Sequence, residues 1–284
     1  MTQSPDRVPP IQDWNRLLSN KVAVVTGGGA GIGGAISRLF ALHGAHVEIA
    51  EIDPDRAKQA VADIEAEGGS ASAHVVDVTA DDGVASLKEA VLNRHAHVDI
   101  LINNFGDYRP LVRFTESNAQ SWDTMYRKNF LHIVAVTHAF IDTMIKGGGG
   151  AIVNVHSVEG MRGYPGDPIY GAMKAAAAKF TTDLAVNLGR QGIRVNGIGP
   201  DLTQTPQVDY LTGFEEHEHL WESWAPVGRL GWPEDQARVA LFLASDMSAY
   251  VTGHNVPVDG GTLAGGGWPW SPREGRFVNR SKGL

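Results

Sequence analysis

The sequence contains no cysteine among its 284 residues, which excludes disulfide bonds and thiolate metal ligands. It also lacks an apolar run of the roughly 18 residues that a membrane-spanning helix needs, so we expect no membrane association. Residues 1–20 are polar and show no apolar signal-peptide core. Positive charge is scarce: the formal net charge is −8 at pH 7 and no basic face is evident, which argues against a nucleic-acid partner. Together these absences favour a soluble, cytoplasmic protein.

What the chain does contain is enough apolar material for one large domain. It is 43% hydrophobic and 20% charged, which is typical of a single globular domain of this size. Near the N-terminus, Trp14, Leu17 and Leu18 could anchor the start of the chain against that domain. The predicted divisions are an N-terminal extension (1–20), the domain itself (21–262) and a C-terminal tail (263–284).

Short β-branched runs alternate with helical patterns along the domain. This alternation predicts an α/β fold with a doubly wound parallel sheet. Helices are predicted from the glycine-rich loop to about His43, at about 54–67, at 82–94 and, as one long element, at 119–146. Strands are predicted at Lys21–Thr26, His46–Glu51, Ala73–Val78, Val98–Ile102 and Ala151–Ser157.

A glycine-rich loop joins the first predicted strand to the first helix. It reads Thr-Gly-Gly-Gly-Ala-Gly-Ile-Gly, with Gly27, Gly31 and Gly33 at its turning points. Glycine lets the backbone turn tightly and approach a pyrophosphate closely, and the following helix N-terminus offers free amide donors. Its position between strand and helix therefore predicts a dinucleotide site.

The second predicted strand ends in Glu51, 24 positions after Gly27. An acidic residue at about this distance is the expected ligand of the adenosine ribose, and it would repel a 2′-phosphate. Neither the glycine loop nor the positions immediately after Glu51 carry Arg or Lys, so we expect NAD rather than NADP. Asp53 competes for the ribose role, and Asp77 is placed to bond an adenine amine.

Tyr170 and Lys174 are four residues apart in a helical pattern. Such residues stand on one helix face, about 5–6 Å apart. A neighbouring cation favours the phenolate and moves a tyrosine toward acid–base work. The same spacing also arises by chance, and alone it slightly favours an ordinary helix start.

Two further polar residues are candidates for the same site. Ser157 ends the fifth predicted strand, where ligands bind in open parallel sheets, and it lacks a serine-hydrolase motif around it. We expect it to donate a hydrogen bond to a substrate oxygen. Asn129 lies within an apolar helical segment and is either a satisfied core amide or a relay to Lys174.

These ordered motifs resemble those of the classical short-chain dehydrogenase/reductase family from about Lys21 to Gly261. The family's Thr-Gly-x-x-x-Gly-x-Gly is met by Thr26–Gly33, and its Tyr-x-x-x-Lys by Tyr170 and Lys174. Ser157 and Asn129 match its upstream serine and its helix asparagine. Segments similar to the family's C-terminal half are Arg194-Val195-Asn196, Pro200, Gly228-Arg229, Pro233-Glu234, Thr252-Gly253-His254 and Val258-Asp259-Gly260-Gly261.

The resemblance implies a Rossmann-type sheet with helices on both faces, a homotetramer, and a catalytic set of Asn129, Ser157, Tyr170 and Lys174. Tyr170 would exchange a proton with the substrate oxygen, Lys174 would lower its pKa and hold the nicotinamide ribose, and Asn129 would link the lysine to solvent through water. Further cofactor contacts are expected from Ile32, Ile52, Val78, Asn104, Phe105, Gly106, Pro200, Thr203 and Thr205.

Two departures from the family pattern bear on the substrate. Phe105 replaces the alanine of Asn-Asn-Ala-Gly and could press on the cofactor or shrink a neighbouring pocket. Asp201 replaces the glycine of Pro-Gly and could contact substrate or disfavour an acidic one. A variable substrate lid is expected at about 203–226, where aromatic residues favour a bulky apolar substrate. Expected substrate contacts are Ser157, Glu159, Tyr164, Asp201 and Trp221; no metal site is expected, since His217-x-His219 is too weak a signal.

Three functions follow from these features. The first is an NAD(H)-dependent enzyme that interconverts a secondary alcohol and a ketone, with a bulky apolar or cyclic, steroid- or terpenoid-like substrate. The second is an NADPH-dependent reductase of 3-oxoacyl thioesters. The third is a catalytically silent NAD(H)-sensing binding protein, although the chain lacks none of the four catalytic residues.

Overall fold

A computed structural model describes residues 11–211, 223–267 and 269–278 of the chain. Seven parallel strands form one sheet in the order β3-β2-β1-β4-β5-β6-β7, which confirms the predicted doubly wound fold. The strands are β1 (Val22–Thr26), β2 (His46–Glu51), β3 (Ser70–Val75), β4 (Ile100–Asn103), β5 (Gly150–Val155), β6 (Ile193–Pro200) and β7 (Asn255–Val258).

Helices connect successive strands and cover both faces of the sheet. They are α1 (Gly31–Leu42), α2 (Pro54–Ala66), α3 (Asp81–Leu92), α4 (Ala119–Tyr126), α5 (His132–Lys146), α6 (Pro168–Leu188), α7 (Pro233–Ala244) and α8 (Thr262–Gly265). A short antiparallel hairpin follows in the tail. Its strands, β8 (Trp270–Ser271) and β9 (Arg276–Phe277), have two residues each.

The central strands are buried on both faces, as continuous β-branched runs predict. Val24 and Val25 are adjacent in β1 and fully buried, yet they belong to different apolar layers. One layer packs α1 and α7 against the sheet, and the other packs α3 and α5. This sandwich holds the carboxyl ends of the strands in fixed positions, and the functional side chains follow those ends.

Two predicted strands need correction at their ends. β3 covers Ser70–Val75 rather than 73–78, because it pairs residue for residue with β2, which ends at Glu51. Asp77 therefore lies beyond the sheet. β5 ends at Val155, so Ser157 is not a strand residue; its side chain accepts a hydrogen bond from the Glu159 amide and caps a short 3₁₀ turn.

The long helix predicted at 119–146 is interrupted. A π-helical turn, Arg127–Leu131, separates α4 from α5 and contains Asn129. Such turns insert one extra residue per turn and are frequent at functional sites.

The N-terminal extension meets the domain through fewer residues than expected. Leu18 is buried and Leu17 packs against the core, whereas Trp14 is 64% exposed and does not anchor the chain. Across the described ranges, no helix is both long and apolar enough to cross a membrane.

Candidate active site

The carboxyl ends of the central strands open into one cleft of about 660 Å³. In open parallel sheets ligands bind at this edge, where the strand order reverses between β1 and β4. Predicted residues that line it are Gly27, Gly31, Ile32, Glu51, Ile52, Asn104, Phe105, Gly106, Ser157, Glu159, Tyr164, Tyr170, Lys174, Pro200, Asp201, Thr203 and Thr205.

The glycine loop turns where the sequence predicts. Gly27 and Gly31 have φ of 61° and 55°, in the left-handed region that glycine adopts without strain. A Cβ at Gly33 would lie 2.1 Å from the Gly27 carbonyl oxygen, so only glycine allows this close packing of loop on helix. The Asn104 side chain braces the loop by donating to the carbonyls of Thr26 and Gly27, at 3.0 and 3.2 Å.

Glu51 is held rigidly at the end of β2. It is 7% exposed, and its carboxylate accepts hydrogen bonds from the backbone amides of Gly29 (3.2 Å), Ile52 (3.0 Å) and Asp53 (3.2 Å). Asp53 instead caps α2, accepting from the Asp55 and Arg56 amides, and unlike Glu51 it is not among the residues that line the cleft. The geometry therefore favours Glu51 over Asp53 for the ribose.

Besides Gly33, which packs against the Gly27 carbonyl, two predicted cofactor contacts lie outside the cleft lining. Asp77 is exposed, and its carboxylate accepts hydrogen bonds from the amide and hydroxyl of Thr79. Val78 is buried in the apolar layer beneath α3. The adenine contacts expected from these two residues remain predictions.

Tyr170 and Lys174 share one face of α6, one turn apart. The helix begins after Asp167, whose carboxylate accepts from the Ile169 and Tyr170 amides at 2.9 and 3.3 Å. The Lys174 ammonium lies 5.6 Å from the centroid of the Tyr170 ring and donates to the Val155 carbonyl at 3.4 Å. The cap and the helix together aim both side chains at the end of β5.

The titration of this pair differs from the sequence-based expectation. Burial raises the pKa of Tyr170 well above its ordinary value, although a hydrogen bond with Ser157 acts to lower it. Burial also lowers the pKa of Lys174 to about 8, with the nearby Asp107 charge acting in the opposite direction. In the free protein the phenol is therefore protonated at neutral pH, which suits a proton donor to a carbonyl oxygen.

Ser157 lies beside Tyr170 at the floor of the cleft. Its hydroxyl donates to the Pro200 carbonyl at a long 3.4 Å and accepts from the Glu159 amide at 3.1 Å. A weak donor contact of this length is readily exchanged for a substrate oxygen.

Asn129 is completely buried. Its amide nitrogen donates to the Asp107 carbonyl at 2.9 Å, and its oxygen accepts from the Asp107 amide at 3.2 Å. A Cβ on Gly106 would lie 2.7 Å from the Lys174 ammonium and 3.2 Å from the Asn129 oxygen, so a side chain at this position would crowd both groups. Its role as a relay remains a prediction.

Phe105 and Asp201, the two departures from the family pattern, both contact other side chains of the protein. The Phe105 ring packs edge-on against His132 of α5, with centroids 5.3 Å apart, so it faces the core as well as the cleft. Asp201 accepts a hydrogen bond from the Arg162 guanidinium at 3.0 Å and another from the Thr262 hydroxyl. Both side chains are thus held by neighbours within the protein.

Arg162 is the main site residue that the sequence analysis missed. Its guanidinium also contacts Glu159, at 2.7 Å, and so bridges two carboxylates that line the cleft. The Glu159-x-x-Arg162 spacing was the available signal, whereas the pairing with Asp201 joins positions 39 apart.

Aromatic rings surround Tyr170. Tyr164 and Tyr108 present their rings edge-on to it, with centroids 5.8 and 6.3 Å away. Tyr210 and Trp224 also line the cleft, whereas Trp221 lies outside the described residues. The cleft thus has a largely aromatic wall next to Tyr170.

Known proteins share this sequence pattern and this architecture. A family model described as enoyl-(acyl carrier protein) reductase matches residues 27–262. The 3-oxoacyl-[acyl-carrier-protein] reductase FabG of Chlamydia muridarum is 40% identical over 250 residues, covering 87% of this chain and 99% of that protein. Two solved structures are also similar. A 7α-hydroxysteroid dehydrogenase complexed with NADH and 7-oxo glycochenodeoxycholic acid has a TM-score of 0.81 and 32% identity, with 87% and 96% of the chains covered. L-Sorbose reductase from Gluconobacter frateurii, complexed with NADPH and L-sorbose, has a TM-score of 0.82 and 30% identity, with 88% and 98% covered.

Fold and relatives agree on an oxidoreductase class that binds a nicotinamide cofactor and acts on CH–OH groups of small molecules. The chain belongs to the short-chain dehydrogenase/reductase family, as its motifs predict. Its relatives differ in substrate and in cofactor. Those finer properties must therefore be argued from this chain's own residues.

Proposed function

We propose that the protein is an NAD(H)-dependent enzyme that interconverts a secondary alcohol and a ketone on a bulky apolar or cyclic substrate. The observation that carries the cofactor choice is the fixed carboxylate of Glu51, which would accept hydrogen bonds from both ribose hydroxyls and repel a 2′-phosphate. Arg56 also lines the cleft, but its guanidinium lies 3.6 Å from the Asp53 carboxylate and its side chain is 54% exposed.

The residues present fit a nicotinamide dinucleotide. The close packing of Gly33 on Gly27 leaves the loop backbone open to a pyrophosphate. The Lys174 side chain lines the cleft, and its ammonium donates a long hydrogen bond of 3.4 Å to the Val155 carbonyl. When bound, the cofactor supplies the carbon that exchanges hydride with the substrate.

The protein's own contribution is proton transfer and orientation. In the reductive direction, the Tyr170 hydroxyl gives its proton to the substrate oxygen, while the Ser157 hydroxyl donates a hydrogen bond to the same oxygen. Lys174 places a positive charge beside the phenolate that results, which lowers the cost of losing the proton. In the oxidative direction the same groups take the proton from an alcohol.

The cleft wall supports the substrate class. Tyr108, Tyr164 and Tyr210 offer apolar ring surface close to the reacting position, which suits a rigid hydrophobic body. Glu159 and Asp201 share one guanidinium, so this end carries a net negative charge and disfavours an acidic substrate.

A second candidate is the NADPH-dependent reduction of 3-oxoacyl thioesters. The observation in its favour is the name of the Chlamydia muridarum relative, which aligns over almost its whole length. Such an enzyme must accept NADPH, and the Glu51 carboxylate opposes the extra phosphate of that cofactor.

One kinetic experiment separates these functions. Cyclic and steroid-like ketones, their alcohols and a 3-oxoacyl thioester are tested with NADH and NADPH or their oxidised forms, and turnover is followed by nicotinamide absorbance. We expect turnover of the cyclic substrates with NAD(H). Thioester reduction with an NADPH preference would contradict the proposal, and NADH binding without any turnover would support a silent sensor instead.

A variant tests the cofactor argument in the same assay. Glu51→Gln removes the charge at nearly constant shape, and we expect the NADH to NADPH ratio of kcat/KM to fall by at least about tenfold, which corresponds to about 1.4 kcal/mol. Asp55→Asn, which removes an exposed carboxylate outside the cleft lining, is the control and should leave the ratio unchanged. An unchanged ratio in Glu51→Gln would remove the argument for NAD.

A further inference from the structure

Three histidine rings surround one buried carboxylate at the β2–β3 end of the sheet, away from the cleft lining. Glu48, in the middle of β2, has no exposed surface. Its Oε1 lies 2.6 Å from Nε2 of His95 and 3.2 Å from Nε2 of His46. Its Oε2 lies 2.6 Å from Nε2 of His74.

Stability alone does not explain this arrangement. Apolar side chains of similar volume are often as stable as a buried ionic group, or more so. A buried carboxylate with converging imidazoles is instead the kind of ligand set that binds Zn²⁺ in proteins.

We propose that His46, Glu48 and His95 form a divalent transition-metal site of the zinc type. Their ligand atoms all lie within 4.8 Å of one another. Zinc–nitrogen and zinc–oxygen bonds of about 2.0–2.2 Å place tetrahedral ligands roughly 3.3 Å apart. The contact between His46 and Glu48 already has this spacing, and the contact between His95 and Glu48 must widen by less than about 1 Å.

The surroundings supply the outer contacts that metal ligands need. Nδ1 of His46 lies 2.7 Å from the Ser70 hydroxyl, which fixes the ring with Nε2 toward the carboxylate. His74 holds the second oxygen of Glu48 and so orients the first. The side chains of His46 and His95 are 23% and 18% exposed, so an ion can enter and water can take the fourth position.

The competing cation at this site is Arg94. Its Nε lies 3.5 Å from Oε1 of Glu48, but its side chain is 51% exposed and can turn into solvent when a metal ion binds. A bound ion would join β2, the neighbour of the edge strand β3, to the segment that follows α3. The role of the site is therefore structural, and it is independent of the proposed reaction.

The test is Zn²⁺ binding to the full-length protein after removal of any affinity tag and treatment with a chelator. Competition with a chromophoric chelator at neutral pH should show one tight site per chain, and ZnCl₂ should raise the melting temperature. His95→Gln should weaken binding by more than the about 10–100-fold that loss of an outer contact costs, and Ser70→Ala should fall within that range. Arg94→Gln should tighten binding by roughly two- to fivefold, as expected for removal of a half-exposed competing charge.

Controls distinguish this site from surface histidines. His138 is exposed on α5, and His138→Gln should leave binding unchanged, as should a His217→Gln/His219→Gln variant at positions outside the described residues. Circular dichroism must show that His95→Gln is folded; if it is not, Arg94→Gln and Ser70→Ala still decide the question. Absence of a one-to-one site in the unaltered protein, or equal binding by folded His95→Gln, would overturn the proposal.

Discussion

The Lys174 ammonium lies 5.6 Å from the centroid of the Tyr170 ring, one helical turn away, yet burial dominates the titration of both groups. The phenol keeps its proton and the lysine holds its proton less firmly than usual. A site of this kind carries a cost that the fold must offset elsewhere, as functional sites commonly do. That cost is measurable.

Lys174→Met should abolish turnover and stabilise the protein at pH 7. The pKa of Lys174 falls from its ordinary 10.5 to about 8 on folding, which corresponds to a penalty on the order of 3 kcal/mol while the lysine is charged. Part of the gain is lost with the hydrogen bond to Val155, so we expect a net stabilisation of roughly 1–3 kcal/mol. Denaturant unfolding measures it.

The sign of the pH dependence provides a control. A lowered lysine pKa means that the unfolded chain binds more protons between about pH 8 and 10.5, so the penalty is complete below pH 8 and fades as pH rises. The stability difference between Lys174→Met and the unaltered protein should therefore shrink toward pH 10. Lys179→Met, an exposed position on the same helix, should change stability by less than about 0.5 kcal/mol at any pH.

Gly33→Ala should disrupt the glycine loop. The added Cβ would lie 2.1 Å from the Gly27 carbonyl oxygen, so the loop must move away from the helix. We expect NADH affinity to fall by at least about tenfold and stability to drop by roughly 1–3 kcal/mol. Fluorescence titration with NADH and thermal unfolding measure the two effects.

The adjacent glycine is the matched control for that change. The nearest atom to a Cβ at Gly34 is 3.4 Å away, an ordinary contact. Because alanine is the better helix former, Gly34→Ala should preserve NADH binding and stabilise the protein by up to about 1 kcal/mol. Equal effects at both positions would show that the close packing at Gly33 is not what shapes the loop.

Asp201→Asn should make the cleft more tolerant of an anionic substrate. It leaves Arg162 paired with Glu159 alone, so one negative charge disappears from the cleft wall. Removing one charge at about 8 Å changes the energy of an anion by roughly 0.5–2 kcal/mol between bulk water and a protein surface. We expect kcat/KM for a carboxylate-bearing ketone, relative to a neutral one, to rise about fivefold. Arg162→Met should shift the ratio in the opposite direction, and a ratio unmoved by either variant would mean that this cluster does not face the substrate.

Local patterns were sufficient for the parts of the site that depend on neighbours in sequence. The glycine loop, Glu51 at the end of β2 and the helical pair of Tyr170 and Lys174 all appear where their spacing predicts. Each depends on one strand end or one helical turn. The parallel sheet then brings them together, because strand ends converge at one edge.

Features that depend on pairing across the fold escaped the sequence analysis. The extent of β3 is set by its register with β2, which no pattern within residues 70–78 reveals. Arg162 meets Asp201 across 39 positions, and Glu48 meets His95 across 47. The direction of the Tyr170 pKa shift also depends on burial, which a two-residue motif does not contain.

The most direct test of the central claim is a comparison of Tyr170→Phe with Tyr164→Phe. Both changes remove one hydroxyl from neighbouring rings of the same cleft, but only the Tyr170 hydroxyl is assigned to proton transfer. With NADH and a cyclic ketone, Tyr170→Phe should lower kcat by about 10²–10⁴-fold while NADH still binds with its original affinity, and Tyr164→Phe should retain turnover. Turnover by Tyr170→Phe at the rate of the unaltered protein would contradict the account.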